Sequence, residues 1–454
     1  MPDSNRTYAL NDRPSRDGRY ILYWMQRAQR ARFNHALEHA IRRANDASLP
    51  LLACFGLYEA YPEANERHFA FMLDGLKETR DALAERGIRL VVRRGAPDAV
   101  AIELARDAAA VVTDAGHLRH ERAWRTRVAD AFAGPVEEVD GDAVVPVALA
   151  SQKPEHAART IRPKILRLRD DMIAGMRHGR PNHGSLDLKV ADGVSLDDPA
   201  ALLASLDLDR SVKPNRRFAA GTAEAVRRLK RFIDDRITGY ADERNDPAHV
   251  QGSTLSPYLH FGQISPVEIA WRVVEAGEGR AADRDVLLEE LIVRRELALN
   301  HVRYRNDYDR YEVLPDWAKA TLAEHAADRR EHTYGREQLE AGETHDPYWN
   351  AAMREMRVTG FMHNYMRMYW GKKILEWTPS PQDAFTTALA INNRYFLDGR
   401  DAASFANVAW CFGLHDRAWP ERPIFGKVRY MNDAGLRRKF DIDRYVAWTK
   451  TLEE

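Results

Sequence analysis

Short apolar runs alternate with longer amphipathic stretches through the first third of the chain. The runs lie at Arg19–Met25, Pro50–Leu57, Ile88–Arg94, Ala109–Asp114 and Val136–Val139, with amphipathic stretches at 29–46, 62–86, 97–107 and 119–132. Short runs separated by helical periodicity are the βαβ rhythm of a parallel sheet. The pattern predicts a Rossmann-like α/β domain over residues 19–148, preceded by a flexible N-terminus over 1–18. From 149 to 215 the chain turns polar, is interrupted at Arg180-Pro181-Asn182 and Asp197-Asp198-Pro199, and keeps one helix near 161–176. Such a segment reads as a long interdomain linker wrapping a surface. From 216 to 454 the spacing is helical: Ala223–Ile237, Pro266–Ala276, Val286–His301, Pro347–Val358, Met362–Trp377 and Pro381–Leu389. The expected fold class is therefore α/β followed by an all-α domain.

Composition narrows this picture in three places. Lys plus Arg equals Asp plus Glu at 68 each, so a nucleic-acid site has to be a local patch. One stretch qualifies: Arg417 to Lys439 holds seven basic residues against two acidic ones, interleaved with Trp419, Phe425 and Tyr430. That mixture suits phosphate gripping and base stacking, and is equally the pattern of a solvated charged face. Cys54 and Cys411 sit in apolar contexts, against a disulfide framework or a cysteine-rich zinc site. No apolar run approaches the ~18 residues of a membrane span, and the N-terminus lacks a signal core. The expectation is a soluble cytoplasmic protein without a membrane partner.

Several motifs carry possible chemistry. His35-Ala36-Leu37-Glu38-His39 matches a metal-hydrolase pattern, but Arg30, Arg32, Arg42 and Arg43 around it repel a cation, which favours an ordinary crossover helix. Gly277-Glu278-Gly279 follows a helix rather than a strand and reads as a C-cap. Gly252-Ser253-Thr254-Leu255-Ser256 offers hydroxyls and N–H groups before a helix, which suits either phosphate binding or N-capping by Ser253 or Thr254. Glu290 and Arg294 stand at i, i+4, the spacing of a helix salt bridge. Seven of the ten tryptophans lie beyond residue 310. A cluster of such large rings needs a big core, a flat partner to stack on, or single electrons to pass. In the Met362–Trp377 helix, Arg367 stands among Met366, Met368, Tyr369 and Trp370. A guanidinium in that company needs an anionic partner, and Asp398 and Asp401 are the nearest in sequence.

Taken together the motifs resemble the photolyase and cryptochrome flavoproteins, and within them the class II cyclobutane pyrimidine dimer photolyases. The resemblance runs through Tyr23–Arg27, Ser256–Ser265, Glu290–Glu296, Thr344–Asn350, Tyr365–Trp377 and Trp410–Trp419, in order along the whole chain. It implies an N-terminal antenna domain, a linker and a helical domain holding FAD, with FADH⁻ as the active form. By motif position, Tyr240, Gly252, Ser253, Thr254, Leu255 and Ser256 would hold the diphosphate and ribityl region. Asn364 and Arg367 would flank the flavin, Asp398 would pair with Arg367, and Arg400 and Asp401 would complete the turn beside the ring. An asparagine near flavin N5 is expected, and Asn392 is chosen over Asn393.

The implied reaction is light-driven splitting of a cyclobutane pyrimidine dimer flipped out of double-stranded DNA, by a repair enzyme working as a monomer. Glu290 would hydrogen-bond the dimer, Met368 would pack beneath it and Trp410 would wall it. Val293 and Arg294 stand where many relatives carry a pocket tryptophan, which makes Arg294 part of the expected lesion pocket. Trp370, Trp349 and Trp377 match an electron wire running from the surface to the flavin. The antenna domain would take a deazaflavin in preference to a folate. A cryptochrome-like light sensor without repair activity is the alternative.

Overall fold

The computed structural model describes residues 3–215, 217–249, 252–277 and 279–453. Six strands, β1 (Thr7–Ala9), β2 (Tyr20–Trp24), β3 (Leu51–Leu57), β4 (Arg89–Arg94), β5 (Ala108–Asp114) and β6 (Val136–Val139), form one sheet in the order β1-β6-β5-β2-β3-β4. All neighbours are parallel except β1 and β6. Every residue of β2, β3 and β5 is buried, as crossover helices on both faces require. The expected strands are met to within one residue at each end. The N-terminal residues depart from expectation. In place of a flexible preface, Thr7–Ala9 pairs antiparallel with β6, and the fully buried Arg6 donates to the carbonyls of Asp140, Ala143 and Val144.

Strand order reverses between β2 and β5, so a crevice opens at the carboxyl ends of these strands. The Asp114 carboxylate, at the end of β5, accepts from the N–H groups of Gln26, Arg27 and Ala28 and fixes the loop leaving β2. The linker does wrap a surface. Its residues 185–194 follow the outer strand β4, with Ser185 N–H on the Gly87 carbonyl and Val194 N–H on the Val92 carbonyl. This covers an edge that would otherwise be open to pairing. The linker helix spans Ala158–Met172, and a short second one, Pro199–Ala204, escaped the sequence pattern.

The remainder is helical, and its main deviation falls at the expected Val286–His301 helix. That stretch is Ala281–Leu288, a π-helical segment Glu289–Arg294, and Arg295–Tyr304. Domain contact is polar as well as apolar. Arg67, at the start of the Glu66–Ala84 helix, donates to the carbonyls of Lys213, Met356, Arg357 and Tyr395, so one guanidinium ties the linker to the ends of two distant helices. No helix among the described residues is long and apolar enough to cross a membrane.

Candidate functional site

The Asn364–Trp377 helix organises the site. His363 caps it by accepting the Tyr365 N–H, and Asn364 is exposed at its first position. One turn in, Arg367 forks onto both oxygens of Asp398 at 3.1 and 3.0 Å and lies 3.9 Å from the Phe396 ring centroid. Two parallel charge-assisted bonds fix the guanidinium plane. Asp398 reaches it from the turn after the Pro381–Tyr395 helix. That turn needs Gly399, where a Cβ would lie 2.8 Å from the Asn392 carbonyl oxygen. Asn393 is committed at both ends of its amide: Nδ2 donates to Glu63, and Oδ1 accepts from Arg400 N–H and from Asn392 Nδ2. Asn392 commits its Nδ2 alone.

The Gly252–Ser256 turn is not a side-chain cap. The helix that follows, Ser256–His260, is preceded by Leu255 without a capping bond, and Thr254 holds φ +55° while its hydroxyl accepts from Arg228. The N–H groups of Ser253, Thr254, Leu255 and Ser256 donate to no described residue. A run of donors without a partner among the described residues, beside an arginine, fits a diphosphate. The buried Tyr240 lies nearby in sequence, its ring under Arg244 at 5.9 Å.

Three tryptophans form a connected series. Trp349 Nε1 donates to the Trp370 carbonyl at 3.1 Å, and the Trp349 and Trp377 rings meet edge to face at 5.7 Å. Asp346 sets the first link by accepting from the Tyr348 and Trp349 N–H groups at the head of the Pro347–Thr359 helix. The Trp370 indole N–H is buried without a partner among the described residues. One expectation fails here: Trp377 does not reach the surface, being 2% exposed, because Tyr334 and His345 cover its ring at 5.5 and 5.3 Å.

The Glu290–Arg294 pair is also corrected. The π turn takes an extra residue, which rotates position 294 past 290 and onto 289. Arg294, exposed, pairs with Glu289 at 3.1 Å, and Glu290 accepts from Arg244 at 2.9 Å. Val293 is buried. Arg244 belongs to none of the sequence motifs. The half-buried Trp410 sits on the Ala402–Cys411 helix, with the Lys372 ammonium 5.1 Å and the Arg429 guanidinium 5.2 Å from its ring centroid. Met368, half-buried, precedes Lys372 by one turn on its helix.

The sheet crevice is lined by Phe55, Tyr58, Tyr61, Phe69, Trp124 and Phe261, with Arg27, His68, His260 and Arg400. Arg400, expected with Asp401 to complete the turn beside the flavin, is among the residues of this crevice. Arg400, at φ +63°, turns its guanidinium toward His260 and Tyr61, and Asp401 pairs with Arg27 at 3.1 Å. Arg27 also faces Glu121 and Asp142 at 3.5 Å each. Arg400 ion-pairs with no carboxylate among the described residues, its Nε is unpartnered, and burial lowers its pKa to about 10. His35 of the rejected metal motif is buried with its pKa pushed well down, by burial and then by Arg6 and Arg30, while His39 pairs with Glu137.

A crevice-bearing α/β domain joined to a helical domain with a paired arginine and a tryptophan series is the architecture of the photolyase and cryptochrome proteins. A class III photolyase from Agrobacterium tumefaciens shares the fold at TM-score 0.74 and 19% identity, covering 96% of this chain and 87% of that one. Residues 21–181 match the family model described as DNA photolyase. The chain is 48% identical over 448 residues, 98% of either length, to a deoxyribodipyrimidine photo-lyase of Methanothermobacter thermautotrophicus. It is 39% identical to one of Arabidopsis thaliana, over 95% of this chain and 89% of that one. The chain belongs to the DNA photolyase family.

Proposed function

We propose that this chain is a class II deoxyribodipyrimidine photo-lyase, a DNA repair enzyme of the cytoplasm and nucleoid that works as a monomer. The observation that carries the reading is the linked series Trp370, Trp349, Trp377 beginning one helical turn from the Arg367–Asp398 pair. FAD, when bound as FADH⁻, supplies a single light-driven electron to the dimer. The N–H groups of Ser253–Ser256 and Arg228 would hold its diphosphate. Arg367 and Asp398, with Asn392 Oδ1, would bracket the ring system, and Asn364, exposed at the helix start, would meet its rim.

The chain's own work is to bind and orient. A flipped dimer leaves the stack at reduced cost because its bases are already poorly paired. Glu290 would accept a hydrogen bond from the dimer while Arg244 holds the carboxylate in place, so that Arg244 is a positioning residue. Met368 and Trp410 would supply the apolar floor and wall, and the basic, aromatic segment from Arg417 to Lys439 would grip the flanking phosphates. The crevice, with flat aromatic walls and the buried Arg400 guanidinium, suits a planar anionic antenna chromophore, and a deazaflavin fits that description better than a folate.

Absorption spectra of the purified protein and blue-light reversal of thymine dimers in duplex DNA test this reading. Bound flavin and photoreversal are expected; flavin without reversal would point to a light sensor, and no flavin would end both readings. Glu290→Ala should retain flavin and lower the repair quantum yield at least several-fold. An unchanged yield removes Glu290 from the mechanism.

A further inference from the structure

Trp377 ends the tryptophan series, yet it is 2% exposed. An oxidised ring there has no direct route to solvent. Two side chains stand between it and water: half-buried Tyr334, whose ring meets Trp377 edge-on at 5.5 Å, and exposed His345 at 5.3 Å. Tyr334 is fixed by its own backbone, its N–H donating to the Trp377 carbonyl at 3.1 Å.

The hydrogen bonds around the phenol oxygen define where its proton points. That oxygen accepts the backbone N–H of His345 at 3.0 Å and lies 2.7 Å from His345 Nδ1. With an acceptor role already filled, the hydroxyl is left to donate to the imidazole. The His332 ring stacks on His345 at 3.7 Å and holds it in register. A further charge bears on the electron: Lys373 Nζ lies 5.5 Å from the Trp377 centroid, paired with Glu376 at 2.7 Å. An ammonium over an indole stabilises the neutral ring's π face and opposes a positive charge placed on it. A hole arriving at Trp377 is pushed onward.

We infer that Tyr334 and His345 are the proton-coupled exit of this series, Tyr334 giving an electron to photo-oxidised Trp377 and its phenolic proton to Nδ1 of His345. The step balances. The Trp377 radical cation gains one electron and becomes neutral; the Tyr334 O–H bond breaks; an N–H bond forms on His345, leaving a neutral tyrosyl radical and an imidazolium that passes its proton to water. The oxidant is the tryptophan radical itself, so the inference rests on the proposed electron-carrying role of Trp370, Trp349 and Trp377.

The acceptor must be neutral. His345 faces His332, Asp346, Lys373 and Glu331 besides Tyr334, and burial, followed by the His332 charge, lowers its pKa from the ordinary histidine value. It is therefore ready at neutral pH, and acid removes it.

Flash excitation of the flavin-loaded protein, with rapid-freeze paramagnetic resonance to tell tryptophanyl from tyrosyl radicals, tests the inference. In the unmutated protein a tryptophanyl signal should give way to a tyrosyl signal, and the tyrosyl yield should fall on acidification through the lowered His345 pKa. Tyr334→Phe keeps the ring packing and should leave only the tryptophanyl signal, with long-lived charge separation reduced about tenfold. His345→Leu should slow tyrosyl formation by about tenfold while Tyr334 remains. A tryptophanyl radical that persists in the unmutated protein with no tyrosyl signal at any pH overturns the exit and leaves the wire standing. Absence of any amino-acid radical overturns both.

Discussion

Lys372 is a cation held where charge is costly. It is fully buried, donates to the Cys411 carbonyl at 2.5 Å and lies 5.1 Å from the Trp410 ring. Burial lowers its pKa to about 8 and raises that of the Cys411 thiol to about 11. An unfolded lysine keeps its proton to about pH 10, so between about pH 8 and about pH 10 the unfolded chain binds the extra proton. Stability must rise with pH across that window, and the burial penalty is present in full below it. Lys372→Met is expected to raise neutral-pH stability by about 2 kcal/mol and to flatten the rise, the pH profile of urea denaturation being the measurement. What the charge provides is a second cation, beside Arg429, against the Trp410 ring.

At the scale of the element, the Asn364–Trp377 helix carries most of the site because i, i+3 and i, i+7 spacings keep Arg367, Trp370 and Trp377 on related faces. Trp370→Phe should slow light-driven reduction of resting flavin by at least about tenfold while repair by chemically reduced protein persists; equal loss of both would refute the wire. This helix was legible from sequence, since its apolar period and its flanking motif agree; a guanidinium among apolar neighbours called for an anionic partner and left Asp398 and Asp401 both open, and it was the family resemblance that chose Asp398. The π turn was not legible: widening one turn by a residue leaves the hydrophobic period of Ala281–Tyr304 intact while rotating Arg294 away from Glu290. Arg244 was hidden because its partner lies 46 residues away and no local pattern announces it. Strand Thr7–Ala9 was hidden because three residues cannot show alternation, and its pairing is entirely long-range. The left-handed φ of Arg400 is likewise something a motif does not encode.

Over the whole molecule, the two domains are joined by buried polar contacts rather than by apolar fit alone. Arg67 satisfies carbonyls at the ends of the Pro347–Thr359 and Pro381–Tyr395 helices, where a cation also meets the negative ends of their dipoles. Arg67→Ala should cost at least about 3 kcal/mol, because the carbonyls are left buried and unpaired. Calorimetry should then resolve two transitions in place of one, and a single transition at an unchanged midpoint would show that the domains are coupled elsewhere. The N-terminal strand brings in time. Arg6 and Thr7–Ala9 leave the ribosome ahead of the other five strands, yet the Val144 carbonyl that Arg6 binds lies 138 residues later. At common synthesis rates that separation is roughly ten seconds or more, during which the growing sheet can pair β2, β3 and β4 but has nothing to close its other edge. The newborn chain must keep this segment unpaired through that interval, and the last sheet contact to form joins the earliest-made strand to the latest-made one.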